Sequence, residues 1–220
     1  MTSESTLADE VELGNPAVLH MVCGKIAAGK STLTARLANA QRTVLISEDV
    51  WIARLYPDEI HTLADYVRCA SRIKTVLTGH IQALLSAGVS VVLDFPFNTT
   101  DTRAWGHALL RAAGCEHQLH YLDVSDEICK ARLRARNASG EHPFQTSDAQ
   151  YELITRYFVP PALNEGFDIV VYGRDRECPL SRRARSSAQI KVHFVRYHES
   201  DWTFIGVETP ATIRPSRRTG

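Results

Sequence analysis

The chain has 220 residues, a 44% apolar fraction and equal numbers of acidic and basic side chains, so its formal net charge is zero. That length and apolar content suit one domain with a sizeable core and terminal appendages, and the balanced charge argues against bulk attraction to nucleic acid or to a membrane surface. The balance is uneven along the chain, because ten Lys/Arg stand against five Asp/Glu from Arg174 to Gly220, leaving fifteen against twenty before them.

Residues 1–16 are polar and acidic, end at Asn15-Pro16 and read as a loose leader. They lack the basic and long apolar regions of a signal peptide, and no apolar run approaches a membrane span, so a soluble cytoplasmic protein is expected. Five scattered cysteines without a C-x-x-C pair read as reduced structural thiols, Cys23 as a small buried hydrophobe.

The apolar run Val18 to Cys23 predicts a strand that leads into Gly24-Lys25-Ile26-Ala27-Ala28-Gly29-Lys30-Ser31, a G-x-x-x-x-G-K-S phosphate-binding loop, or Walker A motif. The glycines let backbone N–H groups turn inward as an anion nest, Lys30 brings a point charge to the β and γ phosphates, and Ser31 is a candidate Mg²⁺ ligand. Residues 24–31 and Thr32 are the candidate nucleotide-binding set. Leu33, Leu37 and Ala40 lie on one helical face, so a helix should begin at the loop and aim its positive N-terminus at the phosphate.

Arg42 to Ile46 predicts a second strand, running into Ser47-Glu48-Asp49 at the sheet end where open α/β folds build their sites. Asp49 reads as a general base for an acceptor hydroxyl or as the N-cap of the helix after it, with Glu48 a rival carboxylate. Leu63, Val67, Ala70, Ile73, Leu77, Ile81 and Leu84 mark a long amphipathic helix closed by Gly88. Val89 to Leu93 predicts a strand that delivers Asp94 at its end, a candidate Mg²⁺ or substrate ligand.

Asn98 to Asp101 reads as loop and cap before a helix with Trp105, Ala108, Leu109 and Ala112 inward. His117 to Val124 predicts a strand on which His117 and His120 face opposite sides. Ser125-Asp126-Glu127 opens a helix bearing Lys130, Arg132, Arg134 and Arg136. Arg132 and Arg136 share one face, and such arginines on a mobile segment can stabilise a transferring phosphoryl group, although a basic face is more often plain solvated surface. A lid is expected around 134–147. Ser147 to Gln150 is a capping box for a further helix, Pro160-Pro161 ends it, and Phe167 to Tyr172 is the last clear strand.

The β-α alternation implies an α/β fold, a parallel sheet with helices on both faces, over residues 17–173. The remainder, 174–220, reads as a basic tail, partly disordered or carrying a short hairpin of Ile190 to Val195 and Trp202 to Val207. The histidines and cysteines have no zinc spacing, so magnesium carried by ATP is the implied metal.

The order GKIAAGKST, ISEDVWIARLYP, VVLDFPFNTTDTRAW and YLDVSDEICKARLRARNASG resembles the small P-loop kinases, a group that includes the 5′-hydroxyl kinase domain of polynucleotide kinases, chloramphenicol phosphotransferase and the zeta-type toxins. The resemblance covers roughly residues 18–173 and implies a three-layer fold on a five-stranded parallel sheet in the order 2-3-1-4-5. It implies that Asp49 is the acceptor-activating aspartate and Asp94 the acidic residue after the third strand. It sets Asn98 and Arg103 near the acceptor, and Arg132 and Arg136 in the lid pattern R-x-x-x-R-N. The chain departs from the polynucleotide kinases at Ile52, where they carry an arginine, with Arg54 two residues on.

The expected activity is therefore transfer of the γ-phosphate of ATP to a hydroxyl of a small-molecule acceptor, with catalytic roles for Lys30, Asp49, Arg132 and Arg136 and an acceptor site including Asp49, Asp94, Asn98 and Arg103. Two alternatives stand beside it: an ATP-binding regulatory or interaction module without an acceptor, and a polynucleotide 5′-kinase. Acceptor identity and oligomeric state are not legible in the sequence.

Overall fold

In the computed structural model, which describes residues 16–140, 145–173, 192–197 and 204–208, the phosphate loop follows the first strand, β1 (Val18–Cys23), and leads into α1 (Lys30–Leu37). The leader up to residue 15, residues 141–144 of the expected lid, and residues 174–191, 198–203 and 209–220 of the expected tail lie outside the described residues. The chain continues through β2 (Thr43–Ser47), α2 (Glu48–Leu55), α3 (Leu63–Ser86), β3 (Ser90–Pro96), α4 (Thr100–Ala113) and β4 (Glu116–Leu122). Then come α5 (Asp126–Ser139), α6 (Asp148–Thr155), a 3-10 turn (Leu163–Glu165), β5 (Ile169–Tyr172), β6 (Val192–Tyr197) and β7 (Phe204–Glu208).

The first five strands are parallel and ordered β2-β3-β1-β4-β5, the P-loop NTPase arrangement expected. The sheet does not stop there. Strand β6 pairs parallel to β5, and β7 returns antiparallel to β6, so the sheet has seven strands rather than five.

Period-two alternation divides the core between the two sheet faces. Leu19, Met21 and Cys23 of β1 join Leu93 and Phe95 of β3 in a cluster with Ile73, Leu77 and Ile81 of α3. Val22 of β1 points the other way, into a cluster with Leu33 of α1, Leu133 of α5 and Tyr151 of α6. Removing most of a fully buried Ile or Leu from either layer typically costs about 2–5 kcal/mol, so both faces are strongly specified.

Three helix faces differ from the expected ones. Leu63 and Val67 are exposed at the start of α3, and the buried stripe begins at Cys69 and Ala70. Ala40 lies beyond the end of α1 and is exposed. On α4 the buried residues are Arg103, Gly106 and Leu109, while Ala108 and Ala112 face out. The rotation has a packing cause: a Cβ on Gly106 would stand 2.7 Å from Met21 Sδ and 3.1 Å from Phe97, so only glycine lets the helix come this close.

His117 and His120 do face opposite sides. His117 Nε2 accepts from the Asp168 N–H at 3.1 Å, whereas His120 lies in a polar ladder across three strands. Its Nε2 is 3.0 Å from His20 Nδ1 and its Nδ1 is 2.9 Å from the Tyr172 hydroxyl. Burial lowers the pKa of His20 to about 4 and that of His120 to about 3, the latter also through the neighbouring His20.

Candidate active site

The phosphate loop turns on two left-handed residues, Ala27 at φ 58° and Gly29 at φ 102°. Gly24 is glycine for a different reason, since a Cβ there would stand 3.1 Å from Leu122 Cβ and 3.2 Å from its carbonyl oxygen. Lys30 folds back over the loop and donates to the carbonyls of Gly24 at 2.7 Å and Lys25 at 2.9 Å. Burial lowers its pKa, and the charge of Asp94, ahead of Cys23 and Asp49, acts against that.

Neighbouring elements hold the loop. Asn98 Oδ1 accepts from the Gly24 N–H at 2.9 Å, and Lys25 Nζ meets Asp126 Oδ1 at 2.6 Å, the same oxygen to which Tyr151 donates at 2.8 Å. Arg132 Nη1 reaches the Ala28 carbonyl at 3.3 Å. The first turn of α5 and its second are thus both tied to the phosphate loop.

Asp94 sits within β3, which runs on to Pro96, and not past the strand's end as expected. It is opposite Ser47 in the β2–β3 register, and Ser47 Oγ donates to its Oδ2 at 3.3 Å. Burial raises the Asp94 pKa, while a hydrogen bond from Ser31 and the charge of Lys30 lower it. Ser31 and Asp94 therefore stand together, one hydroxyl and one carboxylate beside the loop. Among the described residues no group of three His, Cys, Asp or Glu could hold a metal by itself.

Asp49 lies in the first turn of α2, whose N-cap is Ser47, so capping is not its role. Tyr66 of α3 donates to its Oδ1 at 2.9 Å. The rival carboxylate, Glu48, turns inward with only 1% of its surface exposed; its Oε2 is 2.9 Å from the Tyr66 hydroxyl and its Oε1 3.4 Å from Lys74 Nζ. Burial raises the Glu48 pKa, with the Lys74 charge the first influence against it.

The two basic pairs of α5 diverge. Lys130 and Arg134 turn to α6, where they pair with Glu152 at 2.8 Å and with Asp148. Arg132 and Arg136 turn to the loop side; Arg136 is half-buried, and burial lowers its pKa while the charge of Asp49 opposes the shift.

Arg103 corrects an expectation. It is fully buried, with Nε and Nη2 on Glu165 at 2.5 and 3.0 Å and Nη1 on the carbonyls of Phe97 and Val159 at 3.1 and 2.9 Å. Its donors bind the loop after β3 to the segment before β5 and are not presented to an acceptor. Asn98 is likewise engaged with the phosphate loop, and its own carbonyl accepts from the Val159 N–H at 2.8 Å. Cys23, hydrogen-bonded by Arg103, is buried and its thiol pKa is pushed up to about 12, mainly by burial, consistent with an inert packing residue.

Sequence reasoning missed Tyr66, Lys74, Asp126 and Glu165. Tyr66 and Lys74 stand at i and i+8 on a helix whose apolar positions draw the eye, and Glu165 lies in a short turn with no motif.

Residues 19–161 match the model of a family described as AAA domain. Among solved structures, a candidate kinase from Chloroflexus aurantiacus is 22% identical, with a TM-score of 0.58 over 71% of this chain and 84% of that one. Kti12 from Chaetomium thermophilum, in complex with ADP-AlF3, is 14% identical, with a TM-score of 0.54 over 75% and 94%. A sugar kinase from Janibacter sp. is 18% identical, with a TM-score of 0.50 over 77% and 92%. A search of curated proteins gives no match. No helix among the described residues is long and apolar enough to cross a membrane. The chain belongs to the AAA domain family (AAA_33), with the fold of the small P-loop kinases.

Proposed function

We propose that this P-loop kinase-like protein moves the γ-phosphoryl group of MgATP to a hydroxyl of a small-molecule acceptor. The observation that carries the reading is the gathering of Lys30, Asp94 and Arg136 around Asp49: the charge of Asp49 acts on all three, and Lys30 and Asp94 act on each other. Donor charge, a metal-side carboxylate, a base and a lid cation are the parts that phosphoryl transfer needs.

In this reading the amides of residues 24–31 and Lys30 hold the phosphates. Lys30 exchanges its two carbonyl partners for phosphate oxygens when the nucleotide enters. Ser31 and Asp94 would hold Mg²⁺, and the donor set fits: a hydroxyl and a carboxylate are few enough that phosphate oxygens and water must complete the shell, as Mg²⁺ prefers. The metal, when bound, supplies neutralising charge to the phosphates. Asp49 accepts the proton of the acceptor hydroxyl as its oxygen attacks the γ phosphorus. Arg136, with Arg132 behind it on the loop, offsets charge on the phosphoryl oxygens.

A small-molecule acceptor is favoured over a nucleic acid because Ile52, at the position where polynucleotide kinases carry an arginine, is buried in the core at 0% exposure. The test is Asp49→Asn. Transfer of label from γ-³²P-ATP across a panel of metabolites should fall by about 10²–10⁴-fold, the scale of a lost general base, while ATP affinity stays nearly intact. Equal loss of transfer and of ATP binding would overturn the assignment.

A further inference from the structure

We propose that Tyr66 is a positioning residue for the reaction, holding Asp49 in the orientation in which it meets the acceptor oxygen, with Glu48 and Lys74 as the anchor that holds Tyr66. The inference rests on Asp49 acting as the base.

The hydroxyl of Tyr66 is 2.9 Å from Asp49 Oδ1 and 2.9 Å from Glu48 Oε2. A phenol has a single hydrogen to donate, so adjacent carboxylates compete for it. The competition is unequal. Glu48 is buried and has a compensating cation, Lys74, 3.4 Å from its other oxygen. Lys74 is in turn set over the ring of Trp105, 5.9 Å from its centroid, on a helix that packs against α3. Glu48 thus has its own cation, and its contact with the phenol fixes where that oxygen sits.

The hydroxyl lies equally near both carboxylates, and what Asp49 accepts from it is taken at Oδ1. That contact restrains rotation of the carboxylate about its Cβ–Cγ bond and so sets the direction in which Oδ2 points. Burial, followed by the charges of Glu48 and Asp49, raises the pKa of the phenol, so Tyr66 remains a donor throughout the working range. The base of α3 is itself fixed by a capping box between Thr62 and Asp65, which leaves Tyr66 little freedom to follow a moving Asp49.

The experiment is a double-mutant cycle on the full chain, with MgATP as substrate and water as the acceptor, comparing wild type, Tyr66→Phe, Asp49→Asn and the double variant. Misplacement of a reacting group by about 1 Å can cost about 100-fold. Tyr66→Phe should therefore lower kcat by about 10–100-fold with KM for ATP unchanged, and should cause no further loss on the Asp49→Asn background. Equal losses in both backgrounds, or an unchanged kcat, would overturn the inference.

If Asp49→Asn collapses turnover while Tyr66→Phe is silent, the positioning role alone fails. If Asp49→Asn leaves turnover intact, the base assignment fails and takes this inference with it. A second measurement does not depend on folding of the phenylalanine variant. With 3-fluorotyrosine encoded at position 66, the ¹⁹F resonance should shift on Asp49→Asn, and an unmoved resonance would overturn the contact.

Discussion

The phosphate-loop corner and the proposed acceptor corner of this site are built in different ways. At the phosphate loop the geometry comes from consecutive residues: two left-handed positions, a glycine against Leu122, and a lysine folded onto carbonyls five and six residues before it. At the acceptor corner a carboxylate on α2 is held by a hydroxyl on α3, which is held by another carboxylate and a lysine two turns further along. The first is a local code that tolerates few changes of residue type. The second is a chain of side chains, each replaceable if its neighbour adjusts.

The largest effects should separate the corners outright. Lys30→Ala should weaken ATP binding and transfer together, whereas Asp49→Asn should remove about 10²–10⁴-fold of transfer and leave the nucleotide Kd, measured with a fluorescent ATP analogue, within about threefold. A variant at either position with the other's signature would erase the distinction.

Next in size is the brace between the corners. Arg103→Met takes the cation from half-buried Glu165 and the donor from the carbonyls of Phe97 and Val159, and should lower the free energy of unfolding by about 2–4 kcal/mol in urea titrations. Were Arg103 instead an acceptor ligand, transfer would fall and stability would hold.

The two faces of α5 sharpen the comparison further. Arg136→Ala should reduce transfer by about 10–100-fold, while Arg134→Ala, on the exposed face paired to Asp148, should leave both turnover and the urea midpoint unchanged. Gly106→Ala should cost about 1–3 kcal/mol through overpacking against Met21 and Phe97, read as a lower unfolding midpoint with unchanged nucleotide affinity.

The effect most remote from both corners lies in the histidine ladder. An unfolded histidine titrates near 6.5, whereas folded His20 and His120 do so at about 4 and about 3. Below the unfolded value the unfolded chain binds more protons, so stability complete at neutral pH declines as pH falls. The urea midpoint should drop from about pH 6.5 down toward about pH 3, and a His20→Gln, His120→Gln protein should lose much of that slope.

This contrast also explains what could be read from residues alone. The phosphate loop and the split faces of α5 follow from contiguous motifs and from periodicity, and the order of the five parallel strands from the resemblance to the small P-loop kinases. The inward face of α4 did not, because hydrophobic period counts Ala108 and discounts Arg103, whereas a buried arginine with satisfied donors packs as well as an apolar side chain. Tyr66 was invisible for the same reason: its meaning depends on where α2 is placed against α3, which no spacing within either helix encodes. The strands after residue 173 were anticipated as a pair, but their addition to the main sheet was not, since nothing in a strand of this length announces its neighbour.

The central position of β1 has a consequence for how the molecule is made. Leu19 lies opposite Val91 on one side and His117 on the other, so the strand that carries the phosphate loop gains its two neighbours only after about 70 and about 100 further residues have emerged. Contacts so distant in sequence close slowly. The phosphate loop therefore gains its full setting late, and a nucleotide held there would stabilise the finished protein without guiding its early folding.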